Sequence, residues 1–282
     1  MKLLLLASFT FQEALRKKAL YASTALTLVF LALYAVGIHY SFQDIDNNTR
    51  LPVIVRQAVK GEMLLAGLYV IANVGALLAI FMAAGAISNE IDSGTIHSIV
   101  PKPVGRWEIV MGKWLGYALM LTAYVGITSA TAIAIVYALG GQLPDNTLGG
   151  LALMVLKSLL LLSVAMLGST LLSAIAAGII AFILYALSNV AGMIEQMGVL
   201  IQNQTMINIG IITSLVIPSD VLWKLAAHLV LPAIDFAAIG LPSIGGPFTT
   251  LNPPSVWMVV YSVAYIAALM IAAMVVFQKR DL

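Results

Sequence analysis

"SLLLLSVAMLGSTLLSAIAAGIIAFILYALSNVAGMI", residues 158–194, contains no charged side chain. A single helix over this range would be about 55 Å long at 1.5 Å per residue, whereas the hydrocarbon core of a bilayer is about 30 Å thick. The chain must therefore turn within the stretch. Serine, threonine and glycine between residues 168 and 178 favour a turn there. This predicts two membrane spans, at about 151–172 and 174–193.

The composition extends that conclusion to the whole chain. Of its 282 residues, 61% are hydrophobic and 9% are charged, against about 25% charged in soluble domains. Apolar runs predict four more spans, at about 20–40, 63–88, 114–139 and 256–277. The sequence therefore predicts an all-α polytopic membrane protein with six spans in a single domain, residues 1–282. A net charge of +2 does not favour nucleic acid as a partner.

Lysine and arginine in the loops predict the orientation. With the N-terminus inside, the cytoplasmic side holds nine of these residues: Lys2, Arg16, Lys17, Lys18, Lys102, Arg106, Lys113, Lys279 and Arg280. The outer side holds four, namely Arg50, Arg56, Lys60 and Lys224. The positive-inside rule then predicts that both termini are cytoplasmic.

Residues 3–18 precede the first span and mix apolar with charged side chains. We predict a helix that lies at the membrane surface in contact with lipids, with Glu13 and Lys17 paired at i,i+4. The alternative is that these residues are only the polar start of the first span.

Residues 194–255 consist of short apolar pieces interrupted by prolines and glycines. Ser219 and Asp220 are predicted to cap an amphipathic helix, Val221–Val230, in which Lys224 and His228 share one face. Interrupted segments of this kind are typical of re-entrant or external helices. The alternative is a pair of further spans, at 197–217 and 221–239.

The polar insert at residues 89–113 lies between the second and third spans. Asp92 or Ser93 is predicted to cap a short helix from Gly94 to Val100, which Pro101 ends. A new helix is predicted to run from Arg106 into the third span. Because a helix of two turns is unstable alone in water, we expect it to dock either on this chain or on a separate subunit.

The sequence offers little support for a nucleotide-binding, metal-binding or catalytic site. Gly105, Gly112 and Lys113 lack the spacing of a phosphate-binding loop, and Trp114 follows where serine or threonine is needed. Lys113 and Trp114 are instead predicted to be anchors at the membrane interface. The three histidines lie in different segments and there is no cysteine, so no metal site and no catalytic residue are predicted.

Two residues are candidates for a transport pathway, Asn73 and Lys157. Lys157 is the one charged residue well inside a predicted span, and such groups are functional candidates by default. Its side chain is expected to snorkel outward or to pair rather than to contact substrate. Asn73, like the other polar residues of the spans, is expected to join helices by hydrogen bonds; the others are Thr122, Thr128, Ser129, Thr131 and Asn189.

The spacing of residues in the insert also resembles that of a known protein family. This spacing is similar to the signature between the second and third spans of type-2 ABC exporter permeases, the ABC-2 family, in the residues Glu90, Gly94, Thr95, Ile96, Pro101, Arg106, Gly112 and Lys113. The stretches "IPSDVLW", residues 217–223, and "FQKRDL", residues 277–282, also resemble bacterial members.

The resemblance implies a permease of the bacterial inner membrane that works as a dimer, with a homodimer as the simpler case. ATP and Mg²⁺ would bind to a separate ABC ATPase subunit, and this chain would hold no cofactor. Residues 94–100 would be the coupling helix, and the residues implied in coupling are Glu90, Gly94, Thr95, Ile96, Ile99, Val100 and Arg106. Glu90 would pair with Arg106 or with a basic residue of the interfacial helix.

Two other classes of protein stay open at this point. One is an ion-coupled secondary carrier, which would need acidic or broken-helix sites near the bilayer midplane. The other is a membrane scaffold without a transport role. The sequence does not indicate a substrate.

Overall fold

The computed structural model describes residues 2–48, 50, 52–94, 105–141, 143, 146–231, 248 and 253–280. These residues form ten α-helices and no strand. The helices are α1 (Lys2–Arg16), α2 (Lys18–Asn47), α3 (Val53–Ala84), α4 (Ser88–Asp92), α5 (Arg106–Ala138), α6 (Thr147–Leu171), α7 (Ala174–Leu200), α8 (Gln204–Val216), α9 (Ser219–Val230) and α10 (Trp257–Lys279).

Six of these helices, α2, α3, α5, α6, α7 and α10, are long and apolar enough to cross a membrane. The predicted all-α, six-span, multi-pass class is therefore confirmed. Helix α3 begins at Val53, ten residues before the predicted span at 63, whereas α5 begins at Arg106, as predicted for the helix that continues into the third span. The chain turns between α6 and α7 at Leu172 and Ser173.

The centre of the bundle is formed by α3, α5 and α6. In the most apolar windows of α3 and α6, 61% of the residues are buried, against 11% for α2 and 22% for α10. Gly75 in α3 allows this close packing, because a Cβ there would lie 3.2 Å from the Ser158 hydroxyl of α6 and would press on Val125 of α5. Small residues at helix contacts are the usual means of close packing in membranes.

The bundle has two ends, which we name by what they carry. The insert end holds α1, α4, the start of α5 at Arg106 and the end of α10 at Lys279, and hydrogen bonds join α5 to α10 there. The opposite end holds the close of α2 and the start of α6. The first and last described residues thus lie at the same end of the bundle.

Helix α1 packs along the start of α5. A Cβ at Gly116 would lie 2.6 Å from the Cβ of Thr10 and 2.7 Å from the carbonyl of Ala7, so only glycine allows this approach. The opposite face of α1 exposes Leu4 and Phe9. Helix α1 therefore has one face held by the bundle and another that exposes apolar side chains; its position at the membrane surface stays a prediction.

Helices α8 and α9 form a bent pair, with an angle of 105° between them; we call this pair the hairpin. At 1.5 Å per residue, their lengths of 13 and 12 residues correspond to about 20 Å each, which is less than a bilayer core. Neither helix can cross alone, so the bounds do not fit a pair of further spans at 197–217 and 221–239. Most of the predicted external region beyond Leu231 lies outside the described residues.

Candidate coupling site and buried charge cluster

The approach to the insert is a short helix that ends in a left-handed glycine. Helix α4 stops at Asp92, and Gly94 follows with φ +69°, the conformation with which glycine ends many helices. The described residues resume at Gly105, whose N–H donates to Glu108 Oε2 at 2.8 Å and so begins α5. Four residues implied in coupling, Thr95, Ile96, Ile99 and Val100, lie outside the described residues, as does the rest of the predicted 94–100 helix.

The two sides of the insert are joined by an ion pair. Lys113 Nζ of α5 lies 2.6 Å from Glu90 Oε1 of α4, and the two side chains are 8% and 23% exposed. Two predictions were therefore wrong. Lys113 is not a headgroup anchor, and Glu90 pairs with neither Arg106 nor the interfacial helix. The physical reason is that the Glu90 carboxylate of α4 comes within ion-pair distance of the Lys113 ammonium, which is only 8% exposed and so is not free to reach the headgroups.

Trp114, predicted to be an interfacial anchor, is half-buried and has a partner on a neighbouring helix. Its indole N–H donates to the Ser163 hydroxyl of α6 at 2.8 Å. A buried indole N–H usually finds a partner of this kind. Trp114 therefore joins α5 to α6 near the insert end.

Lys17, at the junction of α1 and α2, connects three elements. Its ammonium lies 3.3 Å from Glu13, as predicted from their spacing, and donates to the Tyr117 hydroxyl of α5 at 2.7 Å. It also lies 4.6 Å from the centre of the Tyr117 ring. Burial lowers the pKa of Lys17 below its ordinary value, and the neighbouring Glu13 opposes that shift.

Arg106 lies at the insert end but not beside Glu90. Its guanidinium donates to the carbonyls of Gln278 at 3.2 Å and Arg280 at 2.7 Å. A cation at the last carbonyls of a helix stabilises that end. Arg280 in turn donates to the carbonyl of Thr170, at the end of α6. Arg106 thus fixes the start of α5 to α10, and Arg280 fixes the end of α10 to α6.

Ser169 of α6 caps α4 from another helix. Its hydroxyl, which is fully buried, accepts the backbone N–H groups of Ile87 at 3.0 Å and Ser88 at 3.1 Å. The first N–H groups of a helix have no partner within it. Ser169 therefore ties the short helix before the insert to the α6–α7 turn.

Deeper in the bundle, the two pathway candidates lie in one polar region. Lys157 is fully buried near the middle of α6, and its Nζ has no hydrogen-bond partner. It faces the rings of Tyr69 and Tyr185, 5.9 and 5.4 Å from their centres. Asn73 donates to the Tyr69 carbonyl at 2.6 Å and accepts from the Tyr185 hydroxyl.

The prediction that Lys157 snorkels or pairs is wrong in this structure. Helix α6 begins four residues earlier than predicted, which places Lys157 about 15 Å from the helix start. Its stem is too short to reach the membrane surface from there. Asn73, by contrast, joins α3 to α7 as predicted.

A buried ion-pair group joins the hairpin to α7. Lys224 Nζ lies 2.8 Å from Asp220 Oδ2 on the same helix and 2.8 Å from Glu195 Oε2 on α7. Lys224 is 2% exposed. We call Lys157, Glu195, Asp220 and Lys224 the buried charge cluster. Lys224 was counted among the basic residues of the outer side; its side chain is buried because α9 is folded into the bundle.

Glycines make room for this cluster. A Cβ at Gly192 would overlap the Asp220 carboxylate, and one at Gly210 would overlap the side chain of Glu195. Ser219, predicted as a cap, donates instead to the Ser188 hydroxyl of α7 at 2.9 Å, and Pro218 occupies the cap position of α9. The Ser188 hydroxyl donates to the carbonyl of Ile217 at 3.0 Å, so the bend of the hairpin is fastened to α7.

Several polar span residues do not join helices as predicted. Thr122, Thr128, Thr131 and Asn189 each donate to a carbonyl four residues earlier in their own helix. A hydroxyl or amide that faces lipid or a tight contact satisfies itself most easily in this way.

One of the ion pairs that the sequence analysis missed could have been predicted from the sequence. Asp220 and Lys224 are spaced i,i+4, the pattern of a helical ion pair. The partnership with Glu195 had no local signal, because it joins residues on two helices. The hydrogen-bond partners of Ser169 and Ser188 could not be predicted either, because a serine in an apolar run does not indicate which backbone groups of other helices will lie beside it.

Comparisons with known proteins agree with this architecture. A family model described as "ABC-2 family transporter protein" matches residues 4–282. A relative from Bacillus subtilis (strain 168), named "Uncharacterized protein YhcI", is 30% identical over 93 residues, which cover 27% of this chain and 30% of the relative. The match thus spans less than a third of the relative's length.

Proposed function

The chain belongs to the ABC-2 family of transporter proteins, multi-pass membrane transport components, and from that premise we propose that it is the permease subunit of an ATP-driven exporter. Two copies, in the simplest case a homodimer, form the pathway in the inner membrane with their termini in the cytoplasm. A separate ABC ATPase subunit binds ATP and Mg²⁺. The insert between α4 and α5 docks on that subunit.

The observation that carries the proposal is the Glu90–Lys113 ion pair. At 2.6 Å it joins the two helices that flank residues 95–104, so a force on the insert reaches both flanks together. A buried ion pair is strongly resistant to breaking, because removing one partner leaves an uncompensated charge. The flanks therefore move as one piece.

We call α4, the start of α5 and the Glu90–Lys113 pair that joins them the lever. Further contacts connect the lever to the rest of the bundle. Ser169 ties α4 to the end of α6. The ammonium of Lys17 reaches Tyr117, one turn beyond Lys113 on α5. Closure of an attached ATPase would tilt α3 and α5 together, and through Ser169 it would act on α6 as well. Motion at one surface would thus change the spacing of the central helices.

The ion-coupled carrier is less well supported. Such carriers need carboxylates that can bind and release an ion near the midplane. The buried carboxylates of Glu195 and Asp220 both bind the ammonium of Lys224 at 2.8 Å. They are therefore engaged by a protein cation.

The test is copurification with the candidate ATPase, co-expressed with a tagged form of this chain. Gly94→Asp should lower the recovered ATPase at least tenfold, which corresponds to about 1.4 kcal/mol of binding free energy. Ile96→Glu should do the same, because a carboxylate replaces an apolar contact of the insert.

Gly140→Asp is the matched control. Gly140 also follows a long helix and has a positive φ, +93°, but it lies at the opposite end of the bundle. Its variant should bind the ATPase as well as the parent chain does. The proposal is wrong if the parent chain retains no ATPase, or if Gly94→Asp and Gly140→Asp lose it equally.

A further inference from the structure

A groove lies at the insert end of the bundle, between the last residues of α6 and the last residues of α10. It has a volume of about 370 Å³ and is lined by Thr170, Leu171, Val276, Lys279 and Arg280. We call it the end groove. Its lining combines two apolar side chains with two basic ones, a composition that suits an amphiphile with an anionic head.

The apolar and basic groups follow one another along α10 in the order of a phospholipid. Val276 precedes Lys279 by three residues and Arg280 by four, which is about one helical turn, or about 5 Å. Because α10 ends at the insert end, the valine lies nearer to the centre of the bilayer and the two basic residues lie nearer to its surface. A phospholipid likewise has its phosphate outermost and its acyl chains inward.

Three basic residues meet at this corner of the bundle. Arg106 donates to the carbonyl of Arg280 at 2.7 Å, so its guanidinium lies beside the end of α10, next to Lys279. The ion pairs among the described residues all lie elsewhere. Asp281, which follows in the sequence, lies outside the described residues, and with it the corner still has three basic side chains against one acidic. Basic pockets between membrane helices are typical sites for anionic lipid headgroups.

Arg280 keeps hydrogen-bond donors for an anion. A guanidinium has five N–H donors, and Nη1 of Arg280 donates to the carbonyl of Thr170 at 2.8 Å. Nε and Nη2 have no partner among the residues that the structure describes, and together they can bind a phosphate in a bidentate manner. The bond to Thr170 also holds the guanidinium in place, so little side-chain freedom is lost when an anion binds.

The apolar part of the end groove favours a lipid over a soluble anion. Leu171 is 54% exposed on a helix that crosses the membrane, so the groove opens toward the hydrocarbon region as well as toward water. Inorganic phosphate would occupy the basic part and leave Leu171 and Val276 uncovered. An acyl chain covers them and continues into the bilayer.

We propose that the end groove binds one anionic phospholipid of the surrounding bilayer, with its phosphate on the two basic side chains and an acyl chain along Leu171 and Val276. The lipid bridges the ends of α6 and α10. Ser169, close to the groove on α6, holds the start of α4, so the bound lipid steadies the part of α6 on which the lever rests. The site goes beyond the proposed function and does not depend on an ATPase.

The test is lipid binding by the purified, delipidated chain, measured by native mass spectrometry. Phosphatidylglycerol is the anionic probe, and phosphatidylcholine with the same acyl chains is the zwitterionic one. The first phosphatidylglycerol should bind at least about fivefold more tightly than phosphatidylcholine. Lys279→Gln should weaken phosphatidylglycerol binding about fivefold, the effect of one basic residue at a membrane surface, and should leave phosphatidylcholine binding within about twofold of the parent chain.

Lys18→Gln is the matched control. Lys18, at the start of α2, is also an exposed lysine at the insert end, but it is not among the residues that line the groove. Its variant makes the same change of charge and should bind phosphatidylglycerol as the parent chain does. Lys279 is exposed and holds no other described element in place, so both variants should have the melting temperature of the parent chain.

Equal loss of phosphatidylglycerol in Lys279→Gln and Lys18→Gln would overturn the proposal, because binding would then follow net charge alone. Displacement of the lipid by millimolar inorganic phosphate would also overturn it, since the groove would then be a site for soluble anions. So would equal binding of the two lipids by the parent chain. The ATPase is absent from this experiment, so its failure leaves the proposed function standing, and failure of the copurification leaves the lipid site standing.

Discussion

The insert end and the buried charge cluster use the same side chains in opposite ways. At the insert end, the buried ammonium of Lys113 has one carboxylate, Glu90, at 2.6 Å. In the cluster, Lys224 has two carboxylates while Lys157 has none within hydrogen-bond distance. One-to-one pairing has a single low-energy arrangement and makes a stiff joint. Unequal pairing makes two buried carboxylates depend on one ammonium.

The largest expected effect is that of Lys224→Met. It removes the common partner of two buried carboxylates, and breaking a buried pair costs about 3–5 kcal/mol. We expect a loss near the upper end of that range, measured by equilibrium unfolding in mixed micelles. The control is Lys60→Met: Lys60 is itself 14% exposed, but its partner Asp46 is 57% exposed and can be solvated when the lysine is removed, so the loss should be smaller, about 1 kcal/mol. Equal losses would contradict the burial argument.

Lys113→Met should cost less, about 3 kcal/mol in the same experiment, because it leaves one carboxylate rather than two. Adding Glu90→Leu should restore part of the loss, since the pair is then replaced by apolar groups. The same double variant in the ATPase copurification should keep binding but weaken the stimulation of ATP hydrolysis. Full stimulation in the double variant would show that the ion pair does not stiffen the lever.

Ser169→Ala should have the smallest effect, about 1–2 kcal/mol, because it leaves the N–H groups of Ile87 and Ser88, at the start of α4, without their acceptor. Ser158→Ala is the matched control. Ser158 is on the same helix and is also fully buried, but its hydroxyl donates only to the carbonyl of Met154, in its own helix. Hydrogen exchange at Ile87 and Ser88 should quicken in the first variant alone. Unchanged hydrogen exchange at Ile87 and Ser88 would show that Ser169 does not hold α4 to α6.

The span count, the helix from Arg106 and the Glu13–Lys17 pair could be predicted because each depends on local pattern. The 158–194 run is too long for one span whatever its neighbours do, and i,i+4 spacing places two side chains together within one helix. The partners of Lys113 and Trp114, and the α7 partner of Lys224, could not be predicted. They depend on which helix lies alongside, and that is set by packing over the whole bundle.

Lys157 shows how a small error in a boundary changes an interpretation. With α6 assumed to start at residue 151, the side chain is within reach of the membrane surface. The observed start at Thr147 adds about 6 Å and places the ammonium at the centre of the bundle. Hydropathy alone does not locate such a boundary, because Thr147, Gly149 and Gly150 are neither charged nor strongly apolar.

The central lysine of α6 also has a consequence for biosynthesis. A lysine at the middle of a helix adds about 2.5–3.5 kcal/mol to the free energy of insertion from the translocon. The leucines that follow it, at positions 159–162, offset roughly 0.3–0.6 kcal/mol each. Insertion of α6 is therefore less favourable than that of α2, which carries no charge over most of its length and contacts few neighbours. Helices α2, α3 and α5 leave the ribosome before α6, so Tyr69 of α3 is already in the membrane to receive the ammonium.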